Sequence, residues 1–178
     1  MKNKYLIITV LTSINLTLIG LFTVGFQKEK VTAATLSEAA YQDLALVNDL
    51  RSKSDHSSLV WNEKLAQAAR LKANDIIDND YFEHSSPKGK TAWSFIEDTS
   101  YSYRFAGENL AIDFSNVYDA QEAWEKSPTH LKNILSDNFT DFGFAEVEGE
   151  VDGQFSRVYV QLFGKPLSVY ERELTTNR

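Results

Sequence analysis

The stretch FGFAEVEGEVDGQFSRVYVQLF, Phe142 to Phe163, decides the fold class. Its two ends, Phe142–Val147 and Phe155–Phe163, are rich in aromatic and β-branched residues. These side chains suit a pleated, half-buried surface. Between them Glu148-Gly149-Glu150-Val151-Asp152-Gly153-Gln154 is polar and glycine-punctuated, the mark of a turn region. The stretch predicts a β-hairpin.

Upstream, the hydrophobic period changes from strand-like to helical. Ala40, Leu44, Val47 and Leu50 recur at helical spacing within residues 36–51. A second helix carries Leu65, Ala69, Ala73 and Ile76 on one side, with Asn62 placed to cap it and Trp61 to staple its entry. Tyr81 to Lys90 reads as a loop broken by Pro87 and Gly89, and a short helix follows near Ala92 to Glu97. Asn116 to Lys126 is helical, with Val117, Ala120 and Trp124 on one side. Ser127 before Pro128 suits an N-cap and a first-turn proline, opening a brief helix through Leu135. Helices first and strands later predict an α+β layering rather than alternating βαβ units. No repeat or low-complexity linker divides residues 35–166, which read as one domain, and residues 167–178 read as a frayed, flexible tail.

The chain has 178 residues, 43% hydrophobic and 24% charged, an ordinary globular balance. It has no cysteine, which excludes disulfides, thiolate nucleophiles and Cys-ligated zinc. Residues 1–34 hold four lysines and one acid, so the remainder carries 14 basic and 24 acidic residues. An acidic body of this kind argues against a nucleic-acid partner, which rewards clustered Lys and Arg.

Lys2 and Lys4 precede an uncharged, largely apolar run from Tyr5 to Phe26. At about 1.5 Å per residue the run is long enough to span a hydrocarbon core of roughly 30 Å. Thr32, Ala33 and Ala34 offer a cleavage site further on. Residues 1–34 are therefore expected to be a signal peptide or a membrane anchor. Either reading puts the rest outside the cytoplasm, secreted or anchored through residues 5–26.

The histidines are His56, His84 and His130. His56 lies in Ser54-Asp55-His56-Ser57-Ser58, a solvated loop. His84 sits between a helix and the Pro87 turn, in Phe82-Glu83-His84-Ser85-Ser86-Pro87. It is either aimed into a cleft or a surface imidazole. Glu108, in Ala106-Gly107-Glu108-Asn109-Leu110-Ala111, is an acid in a mostly apolar run. Partial burial would demand a partner, and a turn held by backbone amides competes with that reading. His130 falls in the first turn of a helix opened by Pro128. There the helix dipole favours neutral imidazole, the metal-binding form; a capping or core histidine is the alternative. No H-E-x-x-H, nucleophile elbow or phosphate-binding glycine loop is present.

In order and spacing these segments resemble the CAP superfamily of cysteine-rich secretory, antigen 5 and pathogenesis-related 1 proteins, and most of all its bacterial, cysteine-free SCP-like branch. The likeness covers roughly residues 41–164. It is carried by Leu46-Val47-Asn48-Asp49-Leu50-Arg51, Leu59-Val60-Trp61-Asn62-Glu63, Phe82 to Pro87, Gly107-Glu108-Asn109-Leu110-Ala111, Trp124 to Leu135 and Tyr159-Val160-Gln161-Leu162-Phe163-Gly164. The resemblance implies a three-layer α-β-α sandwich with a central antiparallel sheet and a large cleft, preceded here by the N-terminal hydrophobic helix. It makes His84 and His130 the two cleft histidines, expected to bind a divalent metal, and Glu108 the first cleft glutamate. The second glutamate of the family would fall near Ser127, a serine here, with Glu125 close in sequence. Ser127, Glu125 and Asn109 are expected to line the cleft.

Two neutral imidazoles can hold Zn²⁺ weakly and leave positions open for water, with Glu108 as the base for that water if the site is catalytic. The resemblance favours a binding or envelope and host-interaction module with a lipid, peptide or envelope ligand. A metal-assisted hydrolase or peptidase is the alternative, and an envelope structural protein a third.

Overall fold

The computed structural model describes residues 36–176. The expected N-terminal signal or anchor and its apolar run at residues 5–26 lie outside the described residues. Among the described residues, no helix is long and apolar enough to cross a membrane.

The elements run α1 (Glu38–Lys53), β1 (Val60–Trp61), α2 (Glu63–Asp78), α3 (Ala92–Asp98), β2 (Tyr103–Ile112), α4 (Val117–Lys126), α5 (Pro128–Ile134), β3 (Asp141–Val151), β4 (Gln154–Pro166) and α6 (Val169–Thr176). The four strands form one sheet in the order β1-β3-β4-β2. The hairpin read from residues 142–163 is β3 and β4, antiparallel from Asp141↔Gly164 to Val151↔Gln154. Its turn is tighter than the polar segment suggests. Only Asp152 and Gly153 stand outside the strands, at φ 52° and 70°, the pair of positive φ values that suits a two-residue hairpin.

Capping follows the sequence. Ser37 Oγ accepts from the Ala40 N–H, Asn62 Oδ1 from Lys64 and Leu65, and Asn116 Oδ1 from Asp119. Ser127 does occupy the N-cap of α5 before Pro128, but its side chain makes no capping bond.

Helices cover both faces of the sheet, and the pleat assigns the residues. On one face Leu110, Ala145, Val158, Val160 and Leu162 bury against Leu65, Ala69, Ala73 and Ile76 of α2 and Phe95 and Ile96 of α3. On the other, Ala111, Phe142, Phe144, Tyr159 and Phe163 bury against Val47 of α1, Ala120 and Trp124 of α4 and Ile134 of α5. Successive side chains of a strand point to opposite faces, so two cores share one sheet. Gly143 brings α2 close: a Cβ there would stand 2.3 Å from the Ala66 nitrogen, far inside contact distance.

Two expectations are corrected. The sheet is not wholly antiparallel, because β1 pairs parallel to β3 through Val60↔Asp141 and Trp61↔Phe142. The segment after Pro166 contains a helix, α6, where a frayed tail was expected. Ser168 accounts for its start: the hydroxyl donates to Glu171 Oε2 and accepts from the Glu171 N–H. The sequence pattern also does not announce β2, which pairs antiparallel with β4 from Tyr103↔Pro166 to Ile112↔Val158. It carries Glu108.

Candidate functional site

Glu108 stands in the middle of β2, opposite Leu162. It shares the pleat of Leu110 and so belongs to the face covered by α2 and α3. Gly107 before it permits close packing from the other side, since a Cβ there would lie 2.8 Å from the Phe139 ring. The Glu108 side chain is 4% exposed, against 66% for His84. Oε1 is 2.5 Å from His84 Nδ1, while Oε2 is buried with no hydrogen-bond partner among the described residues.

His84 is held over Glu108 by its backbone. Lys72 of α2, fully buried, donates from Nζ to the Glu83 carbonyl at 2.8 Å, the His84 carbonyl at 3.2 Å and the Tyr81 hydroxyl at 2.9 Å. Tyr81 in turn donates to Asp75 Oδ2 at 2.7 Å. The sequence reading passes over Lys72. Its signal was present: it falls three residues after Ala69 and four before Ile76, a cation on the apolar stripe of α2. Burial lowers the Lys72 pKa, opposed by the nearby carboxylates of Glu108, Asp75 and Glu83.

His84 and His130 move in opposite directions. The hydrogen bond to Glu108 raises the His84 pKa above its ordinary 6.5, against a partial loss of solvation. Burial lowers that of His130, and charge on His84 lowers it further. His130 itself is not among the residues that line the cavity beside His84. Its helix α5 meets the site through Asn133, whose Nδ2 donates to the Glu108 carbonyl at 3.0 Å.

A cavity of about 330 Å³ opens at the pair, walled by His84, Ser85, Thr91, Trp93, Glu108 and Asn133 among others. Neither Ser127 nor Glu125 is among the lining residues: Ser127 Oγ bonds Thr129 Oγ1, and Glu125 accepts from Gln121 of its own helix. Asn109 is a correction. It is fully buried, and as the neighbour of Glu108 on a strand it points to the opposite face. There its Nδ2 donates to Gln161 Oε1 at 3.0 Å, and its Oδ1 accepts from Asn133. Gln161 Nε2 in turn contacts both carboxyl oxygens of Asp43 on α1 and Oε1 of Gln121 on α4. A chain of buried amides thus links α1, through the sheet, to the helix beside the cleft. His56 stands apart, paired with Asp137 at 2.8 Å.

Among the described residues, no three His, Asp or Glu side chains are grouped to hold a metal ion. Of the expected ligands only His84 lines the cavity, and Glu108 is already engaged by it. Such a set does not make the closed site of a structural zinc.

A family model for CAP, the cysteine-rich secretory protein family, matches residues 44–163. The chain is 36% identical over 119 residues to YkwD, an uncharacterized protein of Bacillus subtilis (strain 168), a match covering 66% of this chain and 46% of that one. It is 31% identical over 102 residues to the uncharacterized membrane protein YlbC of the same organism, covering 57% and 30%. The match thus spans less than half of either relative. Among solved structures, an extracellular protein containing a SCP domain from Bacillus anthracis superposes with a TM-score of 0.62 at 31% identity, over 71% of this chain and 40% of that one. An outer surface protein from Borrelia burgdorferi superposes at 0.61 and 22% identity, over 71% and 94%, a likeness of fold alone. With a family model matching two-thirds of its length and a four-stranded mixed α/β architecture to match, the chain belongs to the CAP family of cysteine-rich secretory proteins.

Proposed function

We propose that this is an extracytoplasmic recognition module whose cleft binds its ligand at the His84–Glu108 pair. One observation carries the reading: a carboxylate buried to 4% exposure orients an imidazole that is 66% exposed at the mouth of a cavity. A carboxylate only accepts, so Nδ1 supplies the hydrogen and Nε2 is left for a ligand. Carboxylate-oriented imidazoles of this kind serve as metal ligands and as acceptors.

A divalent metal such as Zn²⁺ would be held weakly by the imidazoles of His84 and His130 and, when bound, would supply a Lewis acid. A donor set of two imidazoles, with Glu108 engaged by one of them, favours recognition over turnover. Location outside the cytoplasm, secreted or anchored through residues 5–26, is supported by the apolar N-terminal run. The extracellular description of the Bacillus anthracis relative points the same way.

The test is calorimetric titration of Zn²⁺ into the purified full-length protein, with turnover measured on peptide and cell-wall substrates. The module reading expects weak metal binding that His84→Ala with His130→Ala abolishes, and no turnover. Turnover lost in Glu108→Gln would establish the hydrolase instead.

A further inference from the structure

We propose that the cleft recognises a neutral oligosaccharide, stacked on the indole of Trp93 and donating a hydroxyl to the bare Nε2 of His84. The proposal rests on the reading of this cleft as a recognition site and names its ligand class.

The first observation is the oriented imidazole. Glu108 Oε1 seats His84 Nδ1, and the ring is 66% exposed on the cavity wall. Its Nε2 then accepts one hydrogen bond from a ligand hydroxyl. Oε1 is taken by His84 and Oε2 is buried, so the ligand needs one well-placed donor and no more.

The second is Trp93. It forms part of the cavity wall and is 38% exposed, although it stands on a helix whose other aromatic, Phe95, is buried. The Tyr103 ring props it at 6.4 Å. An indole held by a neighbour and open on its cavity side offers a rigid, flat apolar surface. The C–H face of a sugar ring matches that surface, and its hydroxyls are left for the rim.

The third is the character of that rim. Ser85 and Thr91 supply hydroxyls that both donate and accept, and Asn133, with both Nδ2 hydrogens engaged, offers Oδ1 as an acceptor, as a ring of vicinal hydroxyls requires. Charge excludes the obvious competitors. Among the described residues, no lysine or arginine lines the cavity to receive an anion. Glu108 already has His84 beside it and the Lys72 charge within electrostatic reach, so a cation gains little. The volume of about 330 Å³ is at the small end of the roughly 300–1,000 Å³ typical of ligand clefts. That is room for one or two rings of a short saccharide.

The experiment titrates the full-length protein with cellotriose and with N-acetylated chitotriose. Binding is read by calorimetry and by the NMR signals of the Trp93 indole and His84 ring. A tripeptide and a short fatty acid are the comparison ligands. Binding of a saccharide is expected with a dissociation constant of about 1 mM or tighter. It should weaken at least tenfold in Trp93→Ala and in Glu108→Gln, and remain unchanged in Tyr118→Ala on the distant helix α4. Trp93 is exposed, so its variant folds even if Glu108→Gln does not; circular dichroism separates the cases. Saccharide affinity unaffected by Trp93→Ala overturns the proposal. So does perturbation of both residues by the peptide or the fatty acid with every saccharide inert, an outcome that leaves the recognition module standing. Silence of His84 and Trp93 toward all three classes overturns both.

Discussion

His84 Nδ1 lies 2.5 Å from Glu108 Oε1, joining an imidazole near the surface to a carboxylate beneath it. The bond favours the charged imidazole. His84 is therefore expected to titrate above the ordinary imidazole value and His130 below it. The stabilising effect on folding is fully present below about pH 6.5 and is lost as pH rises through the higher folded-state value. Because the ring is largely exposed, solvent screening keeps that effect small. NMR titration of the two ring Cε1 protons checks the order; His130 titrating above His84 contradicts it.

The same shift would govern the affinity of the proposed metal seat. Zn²⁺ competes with the proton for imidazole nitrogen, so binding should fall away as pH drops through the raised His84 value, before an unperturbed imidazole would protonate. Calorimetry from pH 8 to pH 5 measures this. Affinity constant across that range would exclude the imidazoles as ligands.

Lys72→Met removes the cation that holds the carbonyls of Glu83 and His84 and the Tyr81 hydroxyl. Orphaning those oxygens in a buried setting should cost about 2–4 kcal/mol of stability, with displaced His84 and Trp93 resonances. Urea denaturation and an NMR spectrum of the variant suffice. A loss under about 0.5 kcal/mol, the range of an ordinary surface change, would mean that Lys72 does not support the loop.

Asp43 is fully buried against Gln161, and burial pushes its carboxyl up to about 8. A folded-state value above the unfolded one means that the folded chain holds the extra proton. Stability should then decline as pH rises from about 4 to about 8, by on the order of a few kcal/mol. Asp43→Asn resembles the protonated acid and should remove this decline. Thermal melts of both proteins at pH 5 and pH 8 decide the matter; parallel pH dependence in the two would show that Asp43 is ionised in the fold.

Much of this molecule is legible in its residues, and the illegible parts have physical causes. The hairpin and the helices α2 and α4 follow from apolar spacing, and α2 also from the cap Asn62. β2 is hidden because Gly107, Glu108 and Asn109 are poor strand formers, and only pairing with β4 across Glu108↔Leu162 makes the segment extended. The likeness to a family picked out His84 and Glu108, while their contact depends on a tertiary approach between a loop and a strand 24 residues apart. Asn109 lies on the face opposite Glu108 because successive side chains of a strand alternate between the two faces, which is invisible until the strand is recognised. Asp43 looks like a solvated charge in sequence, and its burial comes from packing against Gln161, 118 residues along the chain. Lys72 stands on the apolar stripe of α2, but the carbonyls that it serves belong to the loop beyond that helix.

The most direct measurement is the tautomer of His84 at pH 8, read from its two ring ¹⁵N shifts in the metal-free protein and in Glu108→Gln. A carboxylate seated on Nδ1 should fix the hydrogen there and leave Nε2 bare, with the Nε2–H form returning in the variant. An Nε2–H imidazole in the wild type, unchanged by the substitution, would mean that Glu108 does not orient the ring, and the recognition site built on the pair would fall with it.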